Sequence, residues 1–276
     1  MRFSIITPSF RQSEWLKLCV ASVADQGVEL EHIIQHKGSE NGTLDWLHGD
    51  SRVKVFAEDD SGMYDAVNRG LRRAGGEILA WLNCDEQYLP GALRAVEQHF
   101  AAHPQTGLLF AHAIVVDADG HYLFHRKVVR PQLAHTWTSP VSTLSCAMFF
   151  RRSLLSERNL FLDPRWRYCG DAEWLLRVLR QKIPIGLLDD FTSAYTRTEK
   201  NLSATAEAAA ESRRFFATAP AWLRMLGPIL VSHHRLRRFL RGIYFQKPFS
   251  YSIYTRQSLQ SRVSRLALKP STRWRF

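Results

Sequence analysis

Two carboxylates and an amide oxygen stand together at Asn83-Cys84-Asp85-Glu86, directly after the apolar run Glu77-Ile78-Leu79-Ala80-Trp81-Leu82. That run has the length and composition of a buried strand. Acidic residues at the end of a parallel strand lie where open α/β sheets bind ligands. Oxygen donors of this kind suit a hard cation and a phosphorylated substrate better than they suit a core. A helix precedes the strand, carrying Asp65, Ala66, Asn68, Arg69 and Gly70, and Gly75-Gly76 ends it.

Positioning such a site requires the elements around it. Phe3-Ser4-Ile5-Ile6-Thr7 reads as a short opening strand, broken by Pro8 and Ser9. Residues 12–25 have helical spacing, Glu31 to Gln35 a second strand, and residues 37–42 a loop. A short helix from Thr43 and a third strand, Val53 to Ala57, follow. Beyond the acidic loop, Pro90 opens a helix reaching about Ala102. Residues 107–116 form a strand that turns at Asp117-Ala118-Asp119-Gly120 into Tyr122-Leu123-Phe124. This alternation predicts an α/β fold with a mostly parallel central sheet flanked by helices. Later, Cys146 to Phe150 and Ile185 to Leu188 read as strands and Asp171 to Arg180 as a helix. From Thr205 only helices, including an Ala-rich stretch near 204–210, and irregular basic segments are expected.

The bulk composition, 45% hydrophobic and 23% charged, is that of a globular protein. The cysteines, Cys19, Cys84, Cys146 and Cys169, form no CxxC pair, which argues against a zinc site or a disulfide framework. The opening residues lack the apolar core of a signal peptide, and no run of 18 apolar residues suggests a membrane span. The net charge of +11 is unevenly placed. Residues 212–276 hold 14 Lys and Arg and no Asp or Glu, whereas residues 1–211 are slightly acidic. A division into residues 1–203 and a basic helical region, 204–276, follows.

Four segments resemble the family-2 glycosyltransferases of the GT-A fold, of the bacterial polysaccharide-biosynthesis type, over roughly residues 3–200. They are Phe3 to Phe10; Gly62-Met63-Tyr64-Asp65-Ala66-Val67-Asn68-Arg69-Gly70; Leu82 to Glu86 with Leu89 to Leu93; and Gly170-Asp171-Ala172-Glu173-Trp174-Leu175-Leu176-Arg177. The resemblance implies an inverting transfer of a sugar from a nucleotide-diphosphate donor, UDP-linked by default, to a hydroxyl of a saccharide or lipid-linked saccharide. Asp171 is implied as general base, with a helix cap as its other reading. Glu173 and Trp174 fall on the acceptor side. Thr7, Pro8, His36, Asp65, Arg69, Asn83 and Asp85 fall on the donor side. Asp85 is also the implied ligand of Mn²⁺ or Mg²⁺.

Departures from the family pattern are concentrated at the site. Asn83 stands where a first Asp is usual and brings no charge. His36 occupies the place of a base-reading Asp, or is a surface loop residue. Ser145-Cys146 replace a common His-Gln. Asp65 serves the donor or only anchors its helix, and Glu86 reads as a solvated loop acid or a ligand. These departures keep a catalytically degenerate binding or scaffold protein as the alternative.

Leu223 to Phe245 interleaves Leu236, Phe239, Leu240, Ile243 and Tyr244 with Arg235, Arg237, Arg238 and Arg241. Phe245, Phe249, Tyr251, Tyr254, Trp274 and Phe276 add aromatics suited to a headgroup region. The composition points to an anionic membrane surface as partner through residues 212–276, with a helix packed on the body as the other reading. No nucleic-acid motif accompanies the charge. The localisation expected is cytoplasmic, peripheral on the inner face of the plasma membrane.

Overall fold

The computed structural model describes residues 1–38, 42–138, 144–198 and 205–272. Ser39, Glu40, Asn41, Ala204, Trp274 and Phe276 lie outside the described residues. The chain begins with β1 (Phe3–Phe10), α1 (Ser13–Ala24), β2 (Leu30–Lys37), α2 (Thr43–His48), β3 (Lys54–Ala57), α3 (Met63–Arg73) and β4 (Ile78–Trp81). It continues through β5 (Glu86–Tyr88), α4 (Ala92–Ala102), β6 (Leu108–Val116), β7 (Tyr122–Arg126), α5 (Leu133–Thr138), β8 (Met148–Arg151), α6 (Ser153–Ser156), α7 (Gly170–Arg180) and β9 (Ile185–Thr196). The last elements are α8 (Ala206–Ala217), α9 (Ala221–Met225), α10 (Gly227–Leu240), β10 (Phe249–Thr255) and β11 (Ser258–Ala267).

Among the described residues nine strands form one sheet in the order β3-β2-β1-β4-β8-β6-β9-β5, with β7 beside β6. The expected α/β sheet is present, parallel from β3 to β4 and mixed beyond, where β8 runs antiparallel to both β4 and β6. Alternate β1 residues feed cores on opposite faces. Phe3 and Ile5 pack with Val23 of α1 and Val96 and Phe100 of α4. Ile6 packs with Val67 and Leu71 of α3 and Trp174 and Val178 of α7.

The opening strand does not break at Pro8. Ile6 faces β4, since its carbonyl accepts from the Leu82 amide at 2.9 Å. Pro8, two residues on, faces the same way, but the β1–β4 ladder ends at Ile6 and Trp81. No donor is needed there, so proline is tolerated. β1 therefore runs past β4 beside β2, where Pro8 pairs with Gln35 and Ser9 with His36. The order in which strands are added also reverses here: β2 lies on one side of β1 and β4 on the other, all three parallel. In sheets of this kind the ligand crevice lies above such strand ends.

Three further differences have long-range causes. Glu86 to Tyr88 is a strand, antiparallel to residues 193–195, not part of a solvated loop. β9 runs on past Leu188 to Thr196, with register shifts against β6 around His112. Residues 249–267 form an antiparallel hairpin rather than irregular chain. Tyr251 and Tyr254 are buried: their hydroxyls donate to Gly120 O and Asp25 Oδ2, both at 2.9 Å, so neither serves a headgroup region. Arg262 binds Asp25 through two 2.6 Å contacts.

Glu31 joins the strand starts. Its carboxylate accepts from Ser4 Oγ (2.6 Å), Gly75 N (2.7 Å) and Lys54 Nζ (2.6 Å). Burial alone would raise its pKa; the Lys54, Ser4 and Gly75 bonds prevail and hold it down at about 2, against 4.5. Stability from this depressed group is fully present above its unfolded value and is lost as pH falls toward the folded one. Glu31→Gln is expected to cost about 2 kcal/mol at neutral pH, discounted for the exposure of Lys54. Urea unfolding at pH 7 and pH 3 checks it: the gap between the two proteins should narrow at the lower pH, and a constant gap contradicts it.

Candidate active site

Donor-side residues divide sharply once placed on β1 and β2. The Thr7 hydroxyl is fully buried, 2.8 Å from His32 Nε2 and 3.6 Å from Cys19 Sγ. Its side chain is committed to the interior and is not free for a donor. His36 is buried rather than a surface loop residue, with Nδ1 3.1 Å from Ser9 Oγ. Its buried Nε2 has no hydrogen-bond partner among the described residues. Burial lowers its pKa, so the ring is neutral at physiological pH and that nitrogen can donate or accept according to tautomer.

The end of β4 is a tight turn closed by its own residues. Asn83 N donates to Glu86 Oε2 at 2.7 Å, and Glu86 N to Asn83 O at 3.0 Å. Two buried oxygens, Asn83 Oδ1 and Glu86 Oε1, have no hydrogen-bond partner among the described residues. Asp85 is half-buried between them in sequence. Burial pushes its carboxyl up, and burial followed by the Asp85 charge pushes Glu86 up. Cys146, which stands in one of the departing positions, lies beside the Glu86 carboxyl. Buried acceptors without donors are costly until a proton or cation compensates them. Glu86 is therefore not the solvated loop acid of one sequence reading; its burial comes from pairing with β9.

The α3 motif is largely architectural. Asp65 Oδ2 accepts from Ser61 N (3.0 Å) and Arg69 Nε (3.2 Å), closing the helix start. Arg69 also lies 3.4 Å from Glu58. Both residues are therefore engaged with the helix and its approach. Asn68 clamps Leu162 from both sides: its Nδ2 donates to Leu162 O at 2.8 Å and its Oδ1 accepts from Leu162 N at 3.0 Å. Gly70 seats the helix on β1, since a Cβ there would lie 2.5 Å from Ile6 Cγ2.

Tyr64 joins this half of the site to α7. Its hydroxyl donates to Asp171 Oδ1 (3.4 Å) and accepts from Asp171 N (3.3 Å). The ring lies so close to Gly170 that a Cβ would sit 2.6 Å away. Trp174 and Trp81 meet edge to face with centroids 6.1 Å apart, pinning α7 against β4. Trp174 is buried and its indole N–H donates to Leu160 O, so it is a core residue and cannot touch an acceptor. Glu173 is bound by Arg177 at 2.8 Å, and Arg177 in turn donates to Phe161 O, which makes it a helix-to-loop tie rather than a free acceptor contact.

Asp171 remains. Burial raises its carboxyl above the ordinary 3.8, partly offset by the amide of Ala172 and the Tyr64 hydroxyl. The hydrogen bonds from Ala172 N and Tyr64 both reach Oδ1, leaving Oδ2 with no hydrogen bond among the described residues.

The loop ahead of Asp171 is held from the C-terminal region. Glu211 of α8 accepts from Arg167 N (3.1 Å), Tyr168 N (2.7 Å) and Cys169 N (2.8 Å). No local sequence signal links Glu211 to a loop 42 residues upstream. Glu211→Ala would strand three amides and is expected to cost about 2 kcal/mol and lower turnover roughly tenfold through Asp171 misplacement. Glu211→Gln, which keeps an acceptor oxygen, should restore much of the turnover. Equal turnover in the Ala variant and the parent would contradict this role.

The mixed α/β sheet, with its strand order reversing at β1 and oxygen donors at the end of β4, has the architecture of the GT-A glycosyltransferases. Residues 4–158, more than half of the chain, match the model of glycosyl transferase family 2, and the protein belongs to that family. A PGL/p-HBAD biosynthesis glycosyltransferase of Mycobacterium bovis is 26% identical over 187 residues, spanning 63% of this chain and 68% of its own. Staphylococcus aureus TarS 1-349 with UDP-GlcNAc superposes with a TM-score of 0.63 at 18% identity, over 87% of this chain and 73% of TarS 1-349. The mannosyltransferase PcManGT of Pyrobaculum calidifontis, with GDP-Man and Mn²⁺, superposes at 0.59 and 18% identity, over 89% and 76%. The expected family and the expected fold class are borne out.

Proposed function

We propose that the protein is an inverting glycosyltransferase that moves a sugar from a nucleoside-diphosphate donor, UDP-linked in the first instance, to a hydroxyl of a saccharide or lipid-linked saccharide in cell-surface polysaccharide synthesis. The observation that carries the reading is Asp171: it is buried enough to be a stronger base than a surface carboxylate, and Oδ2 is left to accept a proton. In the reaction the acceptor oxygen bonds to the anomeric carbon as the bond to the diphosphate breaks. The acceptor proton passes to Asp171, and the nucleoside diphosphate leaves with the bonding electrons.

The residues at the end of β4 fit a divalent cation. Among the described residues no three His, Cys, Asp or Glu side chains gather as a metal cage. Mg²⁺ and Mn²⁺ sites of this class need only one or two carboxylates, with substrate phosphates completing the shell. Asp85 would hold the ion with the unsatisfied Asn83 Oδ1, and Glu86 stands behind. When bound, the ion would neutralise charge on the leaving diphosphate. His36 Nε2 is the group available to read the base, with Pro8 beside it; Asp65 and Arg69 shape the donor side through their mutual pair. Glu173 and Trp174 act on the acceptor side only indirectly, by holding α7.

Residues 1–203 carry the catalysis, and residues 204–276 add the membrane-facing surface while bracing the acceptor loop. Among the described residues no helix is long and apolar enough to cross a membrane. The partner in this reading is an anionic membrane surface, on the cytoplasmic side where nucleotide sugars are available, and not a nucleic acid. A thermal-shift screen of sugar nucleotides with Mn²⁺ tests the donor claim: a UDP-sugar should give the largest rise in Tm. Stabilisation by no sugar nucleotide would favour a non-catalytic binding protein on the same fold, the reading that Asn83 and His36 motivate.

A further inference from the structure

The arginines of α10 are not among the candidate site residues, and they do not form a uniform solvated face. Arg238 turns inward and is buried, with its guanidinium 5.4 Å from the Tyr244 ring centroid. Arg237 and Arg241, one helical turn apart, instead line a cavity of about 300 Å³ with Arg130, Val129 and Leu240. Arg241 also borders an adjoining opening with Lys127, His112 and Asp189. Arg237 is fixed in place: its guanidinium donates to His135 Nδ1 (3.0 Å) and to Arg130 O (2.8 Å). Burial and then the Arg241 charge lower its pKa, a sign of like charges facing one another. Residues 212–276 contain no carboxylate, and the nearby Asp189 lies 3.8 Å from His112. Arg237 and Arg241 therefore face one another with no ion pair to an acidic side chain among the described residues, and Arg130 lines the same cavity, which suits a phosphate with several oxygens.

The rim of this cavity is apolar. Leu240, which lines it, is 73% exposed, and its neighbours along the chain Leu236 (53%), Phe239 (56%) and Phe245 (66%) are exposed as well. Ile229, Leu236 and Leu240 follow at helical spacing, so an outward stripe runs along α10 with Arg237 and Arg241 on one flank. A cationic centre bordered by exposed hydrocarbon matches a ligand with a phosphate head and an apolar tail. We propose that the Arg130–Arg237–Arg241 cavity seats the phosphate of an anionic lipid, so that the protein docks in one orientation rather than by diffuse charge. This rests on the reading that residues 212–276 meet a membrane.

Vesicle flotation of the full chain tests it, with phosphatidylcholine carrying either phosphatidic acid or oleate at equal surface charge. Wild type should bind the phosphatidic acid vesicles about tenfold more tightly than the oleate vesicles. Arg237→Gln/Arg241→Gln should lose that preference while still binding both vesicles. Arg241→Gln alone, at an exposed position that does not threaten folding, should lose part of it. Arg213→Gln/Arg224→Gln removes equal charge elsewhere in the tail and should keep it. Wild type binding both vesicles equally would overturn the phosphate seat and leave the membrane reading intact; wild type binding neither would overturn both. Equal binding to both vesicles together with a rise in Tm in inorganic phosphate, but not in chloride, that Arg237→Gln/Arg241→Gln loses would make the cavity a free-anion site instead.

Discussion

Asp171→Asn is expected to abolish sugar transfer, by about 10²- to 10⁴-fold in kcat, while leaving donor affinity within a factor of two. The substitution keeps shape and keeps an oxygen for the Ala172 amide and Tyr64 hydroxyl, so α7 should hold its position. What it removes is a group that can take the acceptor proton. The sign of the pH dependence follows from burial. A base works when ionised, and Asp171 is raised above the ordinary 3.8. Wild-type kcat/KM should therefore fall as pH drops through a value higher than the ordinary 3.8, and the residual rate of the Asn variant should not follow that limb. Steady-state transfer assays across pH, with saturating donor, check both statements. A variant that transfers at the parental rate removes Asp171 from the reaction.

The second large effect lies at the other carboxylate. Asp85→Ala should lower donor affinity in Mn²⁺ by at least about tenfold and turnover by about 10²-fold, because the leaving diphosphate loses its charge compensation. The effect should be larger than in relatives with two aspartates here, since Asn83 supplies oxygen but no charge. Asn83→Asp provides the complement: tighter Mn²⁺ dependence at little cost to folding, provided the added carboxylate can share the cation with Asp85. Activity assays against Mn²⁺ concentration distinguish the two. Unchanged Mn²⁺ response in Asp85→Ala would contradict the assignment.

Much of the donor half was legible in the sequence, because its signals are local. The run from Ile78 to Trp81 is apolar throughout, Gly75-Gly76 precede it and acids follow it, so strand and site edge could be read together. The facing of Thr7 could not. Phe3, Ile5 and Ile6 are apolar on both sides of a strand covered by helices on both faces, so no alternation marks the crevice side. Trp174 was misassigned for the opposite reason: motif resemblance outweighed the Trp174–Val178 helical spacing that places both in the core. Glu86 and Glu211 owe their roles to partners far away in sequence, β9 for one and the loop before α7 for the other. The hairpin of β10 and β11 did carry a period-two pattern, Phe249-Tyr251-Ile253, but its arginines drew the reading toward a membrane face. Arg262 is bound instead to Asp25, 237 residues earlier.

Residues 204–276 are consequently more than an appendage to the catalytic sheet. Glu211 holds the loop that presents Asp171, and Gln87 on β5 exchanges hydrogen bonds with the backbone of Tyr254, donating at 3.0 Å and accepting at 2.9 Å. Docking at a membrane through α10 and ordering of the acceptor loop through α8 would then be served by one region.

The central claim is a division of labour between two carboxylates, and donor binding by calorimetry tests it most directly. Wild type, Asp85→Ala and Asp171→Asn would each be titrated with the stabilising sugar nucleotide in Mn²⁺. The account predicts that Asp85→Ala loses donor affinity while Asp171→Asn binds as wild type does. Parental affinity in Asp85→Ala, or lost affinity in a folded Asp171→Asn, would contradict it.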